Sequence, residues 1–306
     1  MNKKYIVGLI TALLIAPSTA KATAVETMPS LAILDTGIQS SLPIFQGKIA
    51  QEVCILDWNS CQNGTKYQEG AGAASLPSNI ITKNGFDHGT QMASIAVANN
   101  PNMKIVFIRI IGHTSTGGRQ LTYESTVAKA LDWVALNKEK YNIKAVSMSQ
   151  GHHQLPKTID YCPKSFMLTD SIKNLISFNI PTFVAAGNGR DYKRIDWPAC
   201  INEAIAVGAT DQENEITRYS NYDPQKIDFY ALGNTVALNP DGTQKNVAGT
   251  SASTQIAASQ WVMVSQAKPT LTYSQQYDLM KLKSQKVLNF MITGGDMINA
   301  MSAING

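Results

Sequence analysis

The sequence is short of charge, of glycine and of long apolar runs, and each shortage removes a class of explanation. Charged residues are 16% and hydrophobic ones 44% of the 306, too little charge and too much apolar surface for a disordered chain. Glycine, at 21 residues, is too sparse for a collagen-like or low-complexity chain. Basic residues form only short clusters such as Lys193-Arg194, and 26 of them stand against 22 acidic ones, so nothing marks a nucleic-acid-binding face. No Gly-x-Gly-x-x-Gly opens a helix, which argues against a small-molecule binder built on a dinucleotide-type sheet.

The longest apolar run near the N-terminus, Tyr5 to Ile15, falls short of the ~20 residues a membrane span needs. Lys3 and Lys4 precede it, and Pro17, Ser18, Thr19, Ala20, Ala22 and Ala24 follow. That is the layout of a secretory signal peptide over residues 1–24, cleaved after Ala20, Ala22 or Ala24. The expectation is an exported protein, periplasmic or secreted, without a membrane span once the signal is removed. Cysteine is scarce too. Cys54, Cys61, Cys162 and Cys200 include no Cys-x-x-Cys spacing, which speaks against zinc, and an even set in an oxidising compartment favours disulfides. Four cysteines allow three pairings; proximity favours Cys54 with Cys61 and leaves Cys162 with Cys200.

Strand-like runs at Leu31–Leu34, Ile105–Ile111, Lys144–Ser149, Pro181–Ala186 and Ala204–Gly208 alternate with helical patterns. Val127, Ala130, Leu131 and Val134 mark one buried face of a helix over about Ser125 to Lys138. A second helix is expected from an N-cap at Thr169, lining up Ile172, Leu175 and Ile176 before Asn179 and Pro181 end it. Strands separated by helices of this length pair in parallel through crossovers, giving a layered α/β fold. No linker or repeat interrupts the pattern, so residues 25–306 read as one domain, with Glu69–Asn79 as a surface loop.

Four segments place reactive side chains at a strand end or a helix start. Ala32-Ile33-Leu34-Asp35-Thr36-Gly37 is an apolar strand ending in a carboxylate, at the edge where α/β sheets collect their sites. Asp87-His88-Gly89-Thr90 leads one of only four histidines into an apolar helix, whose positive end favours the neutral imidazole that a base requires. Phe183-Val184-Ala185-Ala186-Gly187-Asn188-Gly189 runs a buried strand into an unobstructed amide, a ready oxyanion donor. Gly249-Thr250-Ser251-Ala252 opens a helix with a serine whose own N–H faces whatever its hydroxyl attacks. Singly, each also reads as a turn, a cap or a surface residue. Together they occur in the order Asp…His…Ser, which is the order of subtilisin and neither that of chymotrypsin nor that of the α/β-hydrolases.

The chain thus resembles the subtilisin-like serine proteases, the subtilases. Asp-Thr-Gly, His-Gly-Thr, Ala-Ala-Gly-Asn and Gly-Thr-Ser-Ala match the family's four blocks. The resemblance implies a three-layer sandwich, α/β with a mainly parallel central sheet flanked by helices. It also implies a serine endopeptidase in which Asp35 orients, His88 is the base, Ser251 the nucleophile and Asn188 the oxyanion donor. Ser147-Met148-Ser149-Gln150-Gly151 resembles the family's Asn-Met-Ser-Leu-Gly strand, and Thr116-Gly117-Gly118 the Gly-rich segment facing it. The resemblance makes these two edges the binding site for a polypeptide substrate, added as a strand. Ser149, Gln150 and Gly151 with Ala185, Ala186 and Gly187 would wall the first specificity pocket, and Arg190 would bias it toward acidic or small side chains.

The departures are Ala252 and Gln255 where the family has Met or Phe and then Pro, and Gln91-Met92-Ala93-Ser94 after His-Gly-Thr. A first strand at about Leu31 leaves no room for a folding propeptide. These features motivate an alternative, an exported subtilase-shaped binding or effector protein with little general proteolysis. The expectation is a monomer that requires no cofactor and no metal for catalysis; structural calcium, common in the family, has no readable loop spacing here.

Overall fold

The computed structural model describes residues 28–83, 85–114, 117–120, 122–152, 162–289 and 292–305. The predicted signal segment and Thr116 lie outside them. Twelve strands are present among the described residues: β1 (Ser30–Asp35), β2 (Ile49–Ile55), β3 (Tyr67–Glu69), β4 (Lys104–Arg109), β5 (Ile143–Met148), β6 (Thr182–Ala185), β7 (Ile205–Thr210), β8 (Phe229–Leu232), β9 (Asn234–Leu238), β10 (Gln244–Ala248), β11 (Gln285–Asn289) and β12 (Ile292–Met297). The helices are α1 (Ser78–Ile81), α2 (His88–Asn99), α3 (Glu124–Asn137), α4 (Phe166–Ser177), α5 (Thr250–Ala267), α6 (Tyr273–Leu282) and α7 (Ala300–Asn305).

Ten strands form one sheet in the order β11-β12-β8-β7-β6-β5-β1-β4-β2-β3, parallel except for β3 and β11 at the two edges, while β9 and β10 form a separate hairpin. The β1 sequence explains its place in the middle. All six of its residues are buried, and successive side chains feed opposite layers. Leu31 and Ile33 pack with Met92, Ala96, Ala257 and Trp261 from α2 and α5. Ala32 and Leu34 pack with Val127, Leu131, Ile172 and Leu175 from α3 and α4. Two apolar layers on a parallel sheet make the three-layer α/β sandwich.

Two local expectations need correction. Helix α4 starts at Phe166, with Thr169 inside its first turn, where the Thr169 N–H reaches Ser165 O at 3.0 Å. Leu168 is buried one turn before Ile172, so the apolar face extends further back than the Thr169 cap signal implied. The Glu69–Asn79 segment is also not wholly surface. Ala73, Ala74 and Leu76 are buried, Ala74 N donates to the Glu52 carboxylate (3.2 Å), and Ala74 O accepts from Ile38 N (3.2 Å), packing the segment against the turn after β1. The cysteines are joined as Cys54–Cys61 and Cys162–Cys200.

β1 lies between β5 and β4, where the chain, having filled one side of the sheet, crosses to fill the other. In open α/β sheets the crevice beyond the strand ends at such a reversal is where sites form. The ends of β1, β5 and β6 carry Asp35, Ser149 to Gly151, and Ala186 to Asn188 to that edge.

Candidate active site

Asp35 ends β1 with its side chain wholly out of solvent. Its Oδ1 accepts from Thr36 N (2.7 Å) and from Gln150 Nε2 (2.8 Å). His88 Nδ1 stands 2.9 Å from Oδ1 and 3.0 Å from Oδ2. Burial alone would push the carboxyl up; the neighbouring His88, and the hydrogen bonds from His88, Thr36 and Gln150, instead hold it below its ordinary value. An acceptor this fully occupied keeps the imidazole proton on Nδ1 and leaves Nε2 to act as a base.

The turn after β1 also seats the helix that carries His88. Thr36 Oγ1 donates to Phe86 O (3.0 Å) and accepts from Gly89 N (3.0 Å), bolting the start of α2 to the end of β1. The two segments touch so closely that a Cβ on residue 89 would overlap the Gly37 carbonyl and meet the Phe107 ring at 2.8 Å. Gly89→Ala should therefore displace α2 and cost about 1–3 kcal/mol by overpacking. Thermal unfolding together with peptide hydrolysis checks this, since the same shift moves His88 off Asp35.

On the other side of β1, Ser251 is the second residue of α5. Thr250 donates to Asn188 Oδ1 from both its N–H (2.9 Å) and its Oγ1 (3.1 Å). With its carbonyl oxygen committed to Thr250, the exposed Asn188 side chain is left to present its NH₂ group. Thr250 Oγ1 also accepts from Gly187 N (3.1 Å), so α5 and the end of β6 share one hydrogen-bonded junction. Ser251 Oγ donates to Ser149 O at 3.5 Å, and Ser149 Oγ donates to Ser251 O at 3.0 Å.

Gln255 explains how the helix does without the family's proline. Its buried amide accepts from Ser147 Oγ (2.8 Å) and donates to Ser149 Oγ (2.9 Å), so the polar group is paired and ties α5 to β5.

Among the residues assigned to substrate edges, Gln150 turns inward. Its side chain is 5% exposed; Nε2 meets Asp35 and also lies 2.9 Å from His88 Nδ1, while Arg119 donates to Oε1. A flipped amide would set oxygen against carboxylate and NH₂ against guanidinium, so Arg119 determines which way Gln150 faces. Arg119 leaves a tight reversal in which Gly118 O accepts from Thr114 N (2.8 Å) and residue 119 bridges antiparallel to His113. From that reversal the Arg119 side chain reaches the Gln150 amide at the end of β5. Arg109, register partner of Asp35 on β4, is buried, which pulls its guanidinium down to about 10; its Nε donates to Ile111 O (3.2 Å) and supports the chain entering the reversal.

The structure therefore brings Asp35, His88, Ser251 and Asn188 to one edge of the sheet, with Ser149 to Gly151 and Ala185 to Gly187 beside them. Thr36, Thr250 and Arg119 lock the other residues in place, a role that appears only in their contacts with segments distant in the chain. Among the described residues no group of three or more His, Cys, Asp or Glu is placed to hold a metal ion.

The lowered Asp35 pKa has a consequence for stability. Unfolded, the group titrates at its ordinary 3.8; folded, it titrates lower. Its contribution is complete above pH 3.8 and is lost as pH falls from there through the folded value. Urea unfolding between about pH 3 and about pH 6 should show a steeper acid-side loss for wild type than for Asp35→Asn.

The profile of the subtilase family matches residues 27–294. The alkaline protease of Alkalihalobacillus alcalophilus is 26% identical over 242 residues, which cover 76% of this chain and 58% of that protein. Subtilisin Savinase of Lederbergia lenta is 26% identical over 242 residues, covering 76% of this chain and 82% of the relative. The chain thus spans between about three-fifths and four-fifths of these two relatives. In solved structures, a cold-adapted subtilisin-like serine proteinase superposes with a TM-score of 0.67 at 22% identity over 90% of this chain and 89% of its own. The epidermin leader peptide processing serine protease of Staphylococcus aureus does so at 0.72 and 18% identity, over 90% and 74%. With the fold, the four blocks and a profile match across most of its length, the chain belongs to the subtilase family.

Proposed function

We propose that this protein is an exported serine endopeptidase that hydrolyses peptide bonds through Asp35, His88 and Ser251 and an acyl-enzyme. A substrate strand lies between the Gly117-Gly118 reversal and the Ser149-Gln150-Gly151 edge, its scissile carbonyl carbon at Ser251. Ser251 Oγ attacks that carbon as His88 Nε2 takes the hydroxyl proton, with the imidazolium held by Asp35. The oxygen that gains the negative charge is met by the Asn188 NH₂ group and the Ser251 backbone N–H at the positive end of α5. The tetrahedral species collapses, the C–N bond breaks, and His88 returns the proton to the leaving amine. Water then repeats the sequence on the acyl ester and restores Ser251. Every proton transfer is between groups of this chain and substrate or water, and no step calls on a metal.

The observation that carries this reading is the pairing of a dry, fully hydrogen-bonded Asp35 with His88 at 2.9 Å, next to an Asn188 amide whose orientation Thr250 sets. Reaching His88 requires the Ser251 hydroxyl to leave Ser149 O, a weak 3.5 Å partner. Catalytic hydrogen bonds are often long in free enzymes and tighten with substrate. The same contact favours the second reading, a subtilase-shaped binding protein whose serine stays turned away. A fluorophosphonate probe separates them: a single adduct on the peptide containing Ser251 is expected, and an unlabelled wild type would favour the binding protein.

Asn188→Ala should lower kcat by about 10²–10³ with little change in KM, a magnitude that comes from subtilisin itself. Steady-state hydrolysis of a fluorogenic peptide checks it. Export and a single catalytic domain over 25–306 belong to the same proposal, and the two disulfides suit an oxidising compartment.

A further inference from the structure

Three nitrogens converge on one oxygen of the Asp35 carboxylate. Thr36 N lies 2.7 Å from Oδ1, Gln150 Nε2 2.8 Å and His88 Nδ1 2.9 Å. A carboxylate oxygen offers about two acceptor positions, so three donors exceed what Oδ1 can take. Two of them also stand in each other's way. Gln150 Nε2 and His88 Nδ1 are 2.9 Å apart, and with both N–H bonds aimed at Oδ1 their hydrogens would be pressed together. The bonds of Thr36 N and Gln150 Nε2 to this carboxylate are to Oδ1, whereas His88 Nδ1 has a second acceptor within reach, Oδ2 at 3.0 Å. Thr36 and Gln150 therefore fill Oδ1, and the imidazole proton goes to Oδ2.

Which oxygen receives that proton matters because the ring turns as a unit. Moving Nδ1 from one carboxylate oxygen to the other swings Nε2 on the far side of the ring. The buried Gln150 amide is built to make the choice. It leaves the end of β5, the strand next to β1, and its Oε1 accepts from Arg119. Arg119 is exposed, yet its guanidinium lies along the chain leading into α2, where a Cβ on Gly85 would stand 3.2 Å from Nη1. Thr36 ties that same stretch to the end of β1 through Phe86 O (3.0 Å). The amide is thus gripped between a cation and an anion, with a charge-assisted hydrogen bond at each end. Such a chain polarises the amide and strengthens both bonds.

We infer that Gln150 is a positioning residue of the Asp35–His88 couple and that Arg119 acts through it. By occupying Oδ1 the amide sends the His88 proton to Oδ2, and so sets the direction of Nε2, the atom that takes the Ser251 proton. The inference rests on the serine-endopeptidase reading.

The test is steady-state hydrolysis of one fluorogenic peptide by the full chain, with fluorophosphonate labelling to count active sites and a melting temperature for every variant. Gln150→Leu should lower kcat about 10²-fold, the scale of a misdirected reacting group, with KM close to wild type. Arg119→Leu should lose about 10-fold, also in kcat. Arg119→Glu should lose more than Arg119→Leu, because a carboxylate there draws the amide NH₂ and turns Oε1 toward Asp35. Arg119→Lys, which keeps a cationic donor for Oε1, should recover most of the activity. In a Gln150→Leu background none of the Arg119 changes should lower kcat further, the mark of one residue acting through another. Losses that add, or that appear in KM, in variants that melt like wild type would make Arg119 a substrate contact and overturn the inference while leaving the endopeptidase reading standing. A wild-type His88 without a proton on Nδ1, read from its ¹⁵N shift, would also overturn it, since Gln150 would then donate to the ring. An unlabelled wild type would overturn both.

Discussion

Ser251→Ala is expected to lower kcat about 10⁶-fold while leaving KM close to wild type, a size established on subtilisin itself. The serine oxygen is the atom that becomes the acyl ester, so its removal deletes the covalent route and leaves only oxyanion stabilisation and binding. The fold should not register the loss. Alanine is the best helix former, and the variant gives up one 3.5 Å bond to Ser149 O. The 3.0 Å bond from Ser149 Oγ to residue 251 uses a backbone oxygen and survives. Hydrolysis of a fluorogenic peptide, set beside an unchanged melting temperature, is the measurement. A variant as fast as wild type would take Ser251 out of the mechanism.

Asp35→Asn should cost about 10⁴ in kcat with the geometry intact, because it forces the wrong imidazole tautomer. The carboxylate is asymmetric here: Oδ1 takes the Thr36 N–H and the Gln150 amide, while His88 Nδ1 lies against both oxygens, 2.9 Å from Oδ1 and 3.0 Å from Oδ2. An asparagine must keep its carbonyl oxygen toward those two donors, since an NH₂ group there would meet N–H on both sides. Its NH₂ group then replaces Oδ2 in front of His88. Nδ1 becomes an acceptor, the ring proton moves to Nε2, and the atom that has to accept the Ser251 proton already carries one. Kinetics give the loss, and imidazole ¹⁵N shifts give the tautomer. A variant whose His88 stays protonated at Nδ1 would contradict the account.

Asp35, His88, Asn188 and Ser251 were legible because each sits in a short block whose local chemistry, a strand end or helix start with glycine beside it, is written in consecutive residues. The core strands β1, β4, β5, β6 and β7 were legible for a related reason: strands buried on both faces are unbroken apolar runs. β2, the edge strand β3, and β9 to β12 lack that signature, and β8 carries it over only four residues. Their pairing depends on neighbours far along the chain, and several of their residues are charged or polar, as in Gln244 to Asn246. The start of α4 escaped because Leu168 is recognisable as core only once the sheet beneath it is in place.

Side-chain direction was the part that consecutive residues do not encode. Gln150 and Asp196 illustrate it. In sequence Gln150 is one polar residue in an edge that binds substrate; folded, it turns toward Asp35, because Arg119 arrives from a reversal 31 positions earlier to hold its other end. Asp196 is an ordinary acid in a polar loop until Asn221, 25 positions later, fixes it on Gly187. Local order in the chain specified which chemical groups exist and on which strand end or helix start each is carried. Which of them face one another was settled by packing, since directional hydrogen bonds between buried groups form only where the two apolar layers have already brought distant segments within about 3 Å.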